Sequence, residues 1–184
     1  MTGIGFIGRP RVGKDTAAER LIERHGYLRV SLADPIKKIG LAADPIIGWS
    51  FTREEPIRLA QAVDYLGWER VKDRFPEVRR FLWAMSVEGI SEALGEDVWT
   101  NLAVRKIRDS QGPVVVTDVR LIEEAKALRA EGLTIVYLSR EGVPEEDNRG
   151  GEHLGAGAAD LHLHNGGSLE EFWVQVDTLA CRLK

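Results

Sequence analysis

Apolar and polar positions along this chain recur with two periods, and the switches between them outline the elements. Residues 3–8, GIGFIG, are a short apolar run that predicts a first strand. From Gly13 to about His25, Ala17, Leu21 and Ile22 recur at helical spacing, and Gly26 supplies a stop. YLRVSLA (27–33) alternates like a strand, and Asp34-Pro35 opens a helix at about residue 35. Thr52-Arg53-Glu54-Glu55 has the form of a capping box and predicts a helix to about Leu66. Pro76 begins a predicted helix to about Leu94, and another runs from Glu96 to about Ser110. After the break at Gly112-Pro113, VVVTD (114–118) is the β-branched run of a buried parallel strand. A helix from about Leu121 to Ala130, the strand LTIVYLS (133–139) and a short strand LHLHN (161–165) follow. Ser168-Leu169-Glu170-Glu171 is a second capping box, opening a C-terminal helix.

This alternation predicts an α/β class protein: a three-layer fold around a five-stranded, mostly parallel sheet. We expect one domain over 1–184, with a helical insertion at about 44–111. Residues 140–158 carry glycine and charge without apolar period and are expected to form a lid loop, with a plain mobile surface loop as the alternative. As a lid it would bring Arg140, and with it Arg149, to a bound ligand only in its closed state.

Composition narrows the partners. The 184 residues are 43% hydrophobic and 29% charged, the balance of a soluble globular chain. A net charge of −4 offers no general attraction for polymeric nucleic acid, so anion contacts must be local, as at Arg79-Arg80. No apolar run approaches the ~18–20 residues of a membrane span. The single cysteine, Cys181, excludes an internal disulfide and suits a reducing cytoplasm. Its place in a predicted helix favours buried packing over reactivity.

The chemistry is concentrated in GRPRVGKDT (8–16). It follows the phosphate-loop pattern G-x-x-x-x-G-K-[ST] up to its last letter, where Asp15 replaces the hydroxyl residue. A strand before it and a helix after it are the context such a loop needs, because its backbone N–H groups and the helix N-terminus converge on phosphate oxygens. The loop residues Gly8, Arg9, Pro10, Arg11, Val12, Gly13, Lys14, Asp15 and Thr16 are therefore the candidate phosphate-binding site. Lys14 reaches the β- and γ-phosphates, and Thr16 takes the α-phosphate. For Asp15 two readings stand: it serves Mg²⁺, through a bound water, or it merely caps the helix. Asp118, at the end of its strand, is the second candidate for the metal's water shell. Arg120 beside it either clamps a phosphate or sits in a surface salt bridge.

Other patterns carry less. Gly3-x-Gly5-x-x-Gly8 matches a dinucleotide fingerprint, but no strand precedes its first glycine. His162 and His164 share a strand face without further metal-type neighbours in sequence, and we read them as satisfied sheet histidines. Trp68, Trp83 and Trp99 fall in the insertion, where core packing is the expected role and base stacking the alternative. A guanine-reading Asn-Lys-x-Asp is missing from the sequence, which argues against a switch GTPase.

GRPRVGKDT, SLADPIKK (31–38), LGEDVWTNLAVRKI (94–107), VVVTDVR (114–120) and HNGGSLEE (164–171), in that order along nearly the whole chain, resemble the deoxynucleoside monophosphate kinases of bacteriophages. Two stretches depart from that family's pattern: VEGIS (87–91) lacks an arginine expected before GEDVW, and LIEE (121–124) stands where Phe-x-Asn-Glu is preferred. The resemblance implies ATP on Gly8 to Thr16, and an acceptor nucleotide near Asp34, Lys37, Glu88, Trp99 and Arg120. With Arg79 as a further local cation, these are the candidate substrate residues; Lys14, Arg120 and Arg140 are the candidate catalytic ones. The resemblance also implies a P-loop kinase-like fold, with the five-strand core common to nucleotide kinases, and that the chain can dimerise; the cytoplasm expected from the composition would be the host's if the chain is viral. The expected activity is transfer of a phosphoryl group from ATP, with Mg²⁺, to a deoxynucleoside monophosphate. A small P-loop kinase with an alcohol acceptor, where Asp34 would be the base, and an ATPase switch are the alternatives.

Overall fold

In the computed structural model, described over residues 3–143 and 154–183, the chain divides into two compact units. One comprises Met1–Leu32 and Thr100–Lys184, the other Ala33–Trp99. Among the described residues no helix is long and apolar enough to cross a membrane.

The first unit is built on five strands, β1 (Gly3–Ile7), β2 (Leu28–Val30), β5 (Val114–Val116), β6 (Leu133–Ser139) and β7 (Leu161–His164), in the order β2-β5-β1-β6-β7. All four pairings are parallel. Strand parity sorts the core into two layers. Ile4, Phe6, Val115, Val136 and Leu138 face helices α1 (Lys14–His25) and α9 (Leu169–Arg182). Ile7, Val114, Val116, Leu133 and Ile135 face the opposite way, with Ala103 and Ile107 of helix α7 (Val98–Arg108) and Ala125 and Leu128 of α8 (Ile122–Ala130). The expected three-layer α/β fold is present. The sheet is wholly parallel.

The glycines of the apparent dinucleotide fingerprint have a packing role. A Cβ on Gly3 would lie 2.7 Å from Leu133 Cγ and 2.8 Å from Val114 Cγ2, and one on Gly5 2.7 Å from Ile135 Cδ1. They make room for branched neighbours on adjacent strands. At the far end, α1 and α9 are joined by Asp177, which accepts from Arg20 (2.7 and 3.0 Å) and lies 2.8 Å from His25 Nε2. The Ser168 hydroxyl accepts from Glu171 N, so the second capping box forms as read. Cys181, expected to be buried, is exposed, because α9 packs through Phe172, Val176, Leu179 and Ala180 instead.

The second unit holds α2 (Asp34–Ala43), α3 (Leu59–Leu66), α4 (Trp68–Arg74), α5 (Pro76–Ala84) and α6 (Glu92–Leu94) around a small core of Ile47, Leu59, Ala62, Val71 and Val78. It is not purely helical. Of the residues read as a capping box, Thr52–Glu54 lie in the turn of an antiparallel hairpin between β3 (Ile46–Ser50) and β4 (Glu55–Arg58), and Glu55 begins β4. Glu54 takes a left-handed φ of 55°, and Pro56 pairs across from Trp49; hydroxyl and carboxylate side chains serve turns as readily as caps. The predicted helix to Leu94 is also interrupted. Met85–Ser91 widens into a π-helix, just where Ser86 Oγ bonds back to the Trp83 carbonyl. Trp68 packs against the small core as expected, whereas Trp83 is exposed.

Candidate active site

The loop after β1 is shaped by two glycines. Gly8 has φ +131°, and a Cβ there would stand 2.3 Å from the Leu138 carbonyl oxygen, inside contact distance. Gly13 has φ +108° and precedes α1; a Cβ on it would meet Asn165 Nδ2 at 2.7 Å. Between them Arg11 also takes a positive φ, 66°, and Val12 is buried against the α1–α9 side of the core. Arg9 and Pro10 are half-buried and Arg11 is exposed. The loop thus rests on β6 and β7 behind and delivers the chain into α1. The first-turn N–H groups of that helix have no intrahelical acceptor and carry its positive dipole end.

Lys14 lies across the loop, its Nζ donating to the carbonyls of Gly8 and Arg9, each at 2.7 Å. Burial lowers its pKa to about 8; the nearby charges of Asp15 and Asp118 oppose the shift and that of Arg120 adds to it. Those couplings gather Lys14, Asp15, Asp118 and Arg120 into one electrostatic cluster. A phosphate chain laid in it would meet a cation partly stripped of water, where Coulomb interactions are stronger than in bulk solvent.

Asp15 is exposed and lies in the first turn of α1, whose N-cap is Gly13. Its carboxylate accepts from Arg29 on β2 and, at 3.2 Å, from Thr117 Oγ1. Arg29 also donates to Thr117 Oγ1 at 3.0 Å. Asp118 accepts from Ser31 Oγ (2.7 Å) and Leu32 N (3.2 Å), which hold it at the end of β5 beside β1. Among the described residues no cluster of three or more metal-type side chains forms. Mg²⁺ does not require one, since it commonly binds through one or two carboxylates, waters and the substrate's own phosphates. Two carboxylates and Thr16 near a phosphate loop fit that donor set.

Arg120 is exposed, and its backbone N–H donates to Glu124 Oε2 at 2.7 Å; Leu121 N adds a second bond at 3.0 Å. Burial raises the Glu124 pKa, against the lowering effect of those two bonds. The contact fixes the turn after Asp118 from which the Arg120 side chain departs. Arg140 is exposed directly after β6, the strand that pairs with β1.

The remaining sequence candidates belong to the second unit. Asp34 is the first residue of α2 and Lys37 lies one turn later; both are half-buried. Glu88 is exposed in the π-helix, and Trp99 donates from Nε1 to Ser91 Oγ at 3.1 Å. Arg79 is tied to its own neighbours, donating to Asp73 (2.9 Å) and to the Lys72 carbonyl (3.2 Å). Most of the expected lid, Arg149 included, lies outside the described residues. Its edges are better anchored than the composition suggested: Val143 and Leu154 pack on the core, and Arg129 donates to the Ala158 carbonyl at 2.5 Å.

Sequence reasoning missed Arg29, Ser31, Thr117, Glu124 and Asn165. For Arg29 a signal existed, a lone cation in an otherwise alternating strand. Asn165 lay within the HNGGSLEE stretch (164–171), just before Gly166-Gly167, but was given no role there.

A profile of the family described as deoxynucleotide monophosphate kinase matches residues 68–176. A protein of Acanthamoeba polyphaga mimivirus, described as a putative deoxynucleotide monophosphate kinase, is 26% identical over 194 residues, covering 96% of this chain and 94% of the relative. The deoxynucleotide monophosphate kinase of Escherichia phage RB69 is 25% identical over 79% of this chain, which spans only 59% of that protein. Among solved structures, the shikimate kinase of Acinetobacter baumannii in complex with shikimate superposes with a TM-score of 0.52 at 14% identity, covering 99% of this chain and 94% of that one. That likeness speaks to the fold alone.

Proposed function

Since the chain belongs to the deoxynucleotide monophosphate kinase family and is a phosphotransferase, we propose that it moves the γ-phosphoryl group of ATP onto a deoxynucleoside monophosphate. The observation that carries this reading is the Lys14 cluster: one partly desolvated cation lying over the loop, with Asp15, Asp118 and Arg120 within its electrostatic reach. The family match begins at residue 68, so the phosphate loop rests on its own sequence and geometry.

In the reaction an oxygen of the acceptor's phosphate forms a bond to the γ-phosphorus. The bond from that phosphorus to the β,γ-bridging oxygen breaks, and ADP leaves with the electron pair. An acceptor phosphate has its second pKa near ~6, so its attacking oxygen is already largely ionised at neutral pH and no general base is required. Catalysis is then positioning and charge neutralisation. Loop amides and Lys14 hold the donor's β- and γ-phosphates, and Arg120 and Arg140 offset the repulsion between two anionic nucleotides. Mg²⁺, bound with ATP and held through Asp15 and Asp118, would neutralise charge on the transferring phosphoryl group. In the second unit Asp34, Lys37, Glu88 and Trp99 are the residues we assign to the acceptor, with Arg79 the weakest member because its guanidinium is already engaged.

The test is coupled ADP release with ATP and Mg²⁺ against a panel of deoxy- and ribonucleoside monophosphates, with dephospho-coenzyme A as an alcohol acceptor. Turnover with deoxynucleotides supports the reading. Turnover only with the alcohol, or ADP release independent of any acceptor, would overturn it.

A further inference from the structure

Behind the phosphate loop stands a buried asparagine to which the proposed reaction assigns no task. Asn165 follows the last residue of β7 and is 8% exposed. Its backbone N–H donates to the Ser139 carbonyl at 2.8 Å, which ties it to the end of β6. Its side-chain amide donates from Nδ2 to the Val12 carbonyl at 2.9 Å. Val12 O can only accept, so the NH₂ end of the amide must face it. The approach is tight enough that a Cβ on Gly13 would collide with the same nitrogen and come within 3.4 Å of the Phe172 ring.

We propose that Asn165 is a positioning residue for the donor site: by holding the Val12 carbonyl behind the loop, it aims the Gly13 N–H at the phosphates. The physical reason is the peptide plane. In a trans peptide the C=O of one residue and the N–H of the next point to opposite sides. With Val12 O turned back to Asn165, the Gly13 N–H must point away from β7, toward the mouth of the loop. A carbonyl without that partner could rotate its plane, because Gly13 at φ +108° has no side chain to resist. The cradle would then lose one of its donors even though Lys14 remained. Gly8, pressed on the Leu138 carbonyl, supports the other end of the loop on the same β6–β7 edge.

This rests on the donor-site reading above, and the test separates the two. Kd for ATP with Mg²⁺ is measured by titration calorimetry for the wild type, Asn165→Ala and Asn165→Asp, with KM for the acceptor and the melting temperature alongside. Asn165→Asp keeps the shape but sets a carboxylate oxygen against a carbonyl oxygen. We expect both variants to weaken ATP binding about tenfold or more, the size of a lost buried hydrogen bond, with Asp the worse. Acceptor KM should stay within about twofold on this account. A folded Asn165→Ala variant that binds ATP like the wild type would overturn the proposal, whatever its melting temperature. If neither variant folds, amide NMR of the wild type with inorganic triphosphate decides: the Gly13 N–H must be among the resonances that shift, and its failure to move would overturn the assignment. A wild type that binds neither ATP nor triphosphate would instead sink the donor-site reading itself.

Discussion

The two units of this chain are packed to different depths. Around the phosphate loop the supporting strands are buried on both faces: Ile4, Phe6, Val114, Val115, Val116, Ile135, Val136 and Leu138 are all fully inaccessible. The second unit has five buried residues at its centre and leaves Trp49, Phe51, Tyr65 and Trp83 exposed. It also carries a π-helix and a two-stranded hairpin, which has little stability of its own. On the proposed reading the deeply buried strands support the ATP loop, while the acceptor residues Glu88 and Trp99 belong to the less deeply packed unit.

The largest effect that tests this contrast is on the donor side. Lys14→Ala should lower kcat by about 10² or more with every acceptor, because the transferring phosphoryl group loses its fixed cation. Near-normal turnover in steady-state assays would remove the loop from the reaction. On the acceptor side, Asp34→Asn should raise acceptor KM about tenfold while leaving KM for ATP unchanged. Loss of kcat with loss of an acidic limb in the pH–rate profile would mean that Asp34 is a base and the acceptor an alcohol.

Asp15 tests the boundary between the metal and the protein. Asp15→Thr restores the usual hydroxyl and should need only a few-fold more Mg²⁺ for half-maximal rate, whereas Asp15→Ala should need about tenfold more. Equal Mg²⁺ titrations for both would show that the carboxylate serves only Arg29 and Thr117.

Lys14 gives two pH effects of opposite sign. Its native pKa of about 8 lies below the unfolded value of 10.5, so the folded state releases this proton first. Stability from this group therefore increases as pH rises from about 8 to 10.5, while affinity for ATP falls through about 8 as the charge is lost. Lys14→Arg stays charged across that range and should abolish the alkaline fall in ATP affinity. The smallest effect is remote from the site. Asp177, held by Arg20 and His25, has its pKa lowered to about 2 from 3.8. Its contribution is complete above 3.8 and is lost as pH falls toward 2. Asp177→Asn should lower the melting temperature by a few degrees at neutral pH and flatten that acid limb, with kinetics unchanged.

The primary structure by itself determined the layers, the glycine-rich loop between β1 and α1, and the lysine that lies over it. Those signals are local: apolar runs in IGFI and VVV, helical spacing after Lys14, and glycines at a fixed offset act between near neighbours in the chain, so they can be read in order. The same locality explains the errors. Thr52 to Glu55 satisfied a cap pattern that a hairpin turn also satisfies, and only the pairing of Ile46 with Arg58 across the strands chose between them. What the tertiary structure decided was who faces whom. Strand order puts β5 beside both β1 and β2, and so brings Arg29, Asp15 and Thr117 together and hangs Asp118 on Ser31. The β6–β7 edge brings Asn165 to Val12 across a separation of 153 residues. Such contacts have no period and no spacing rule; they exist because parallel strands all end on one edge of the sheet, where residues far apart in the chain become neighbours.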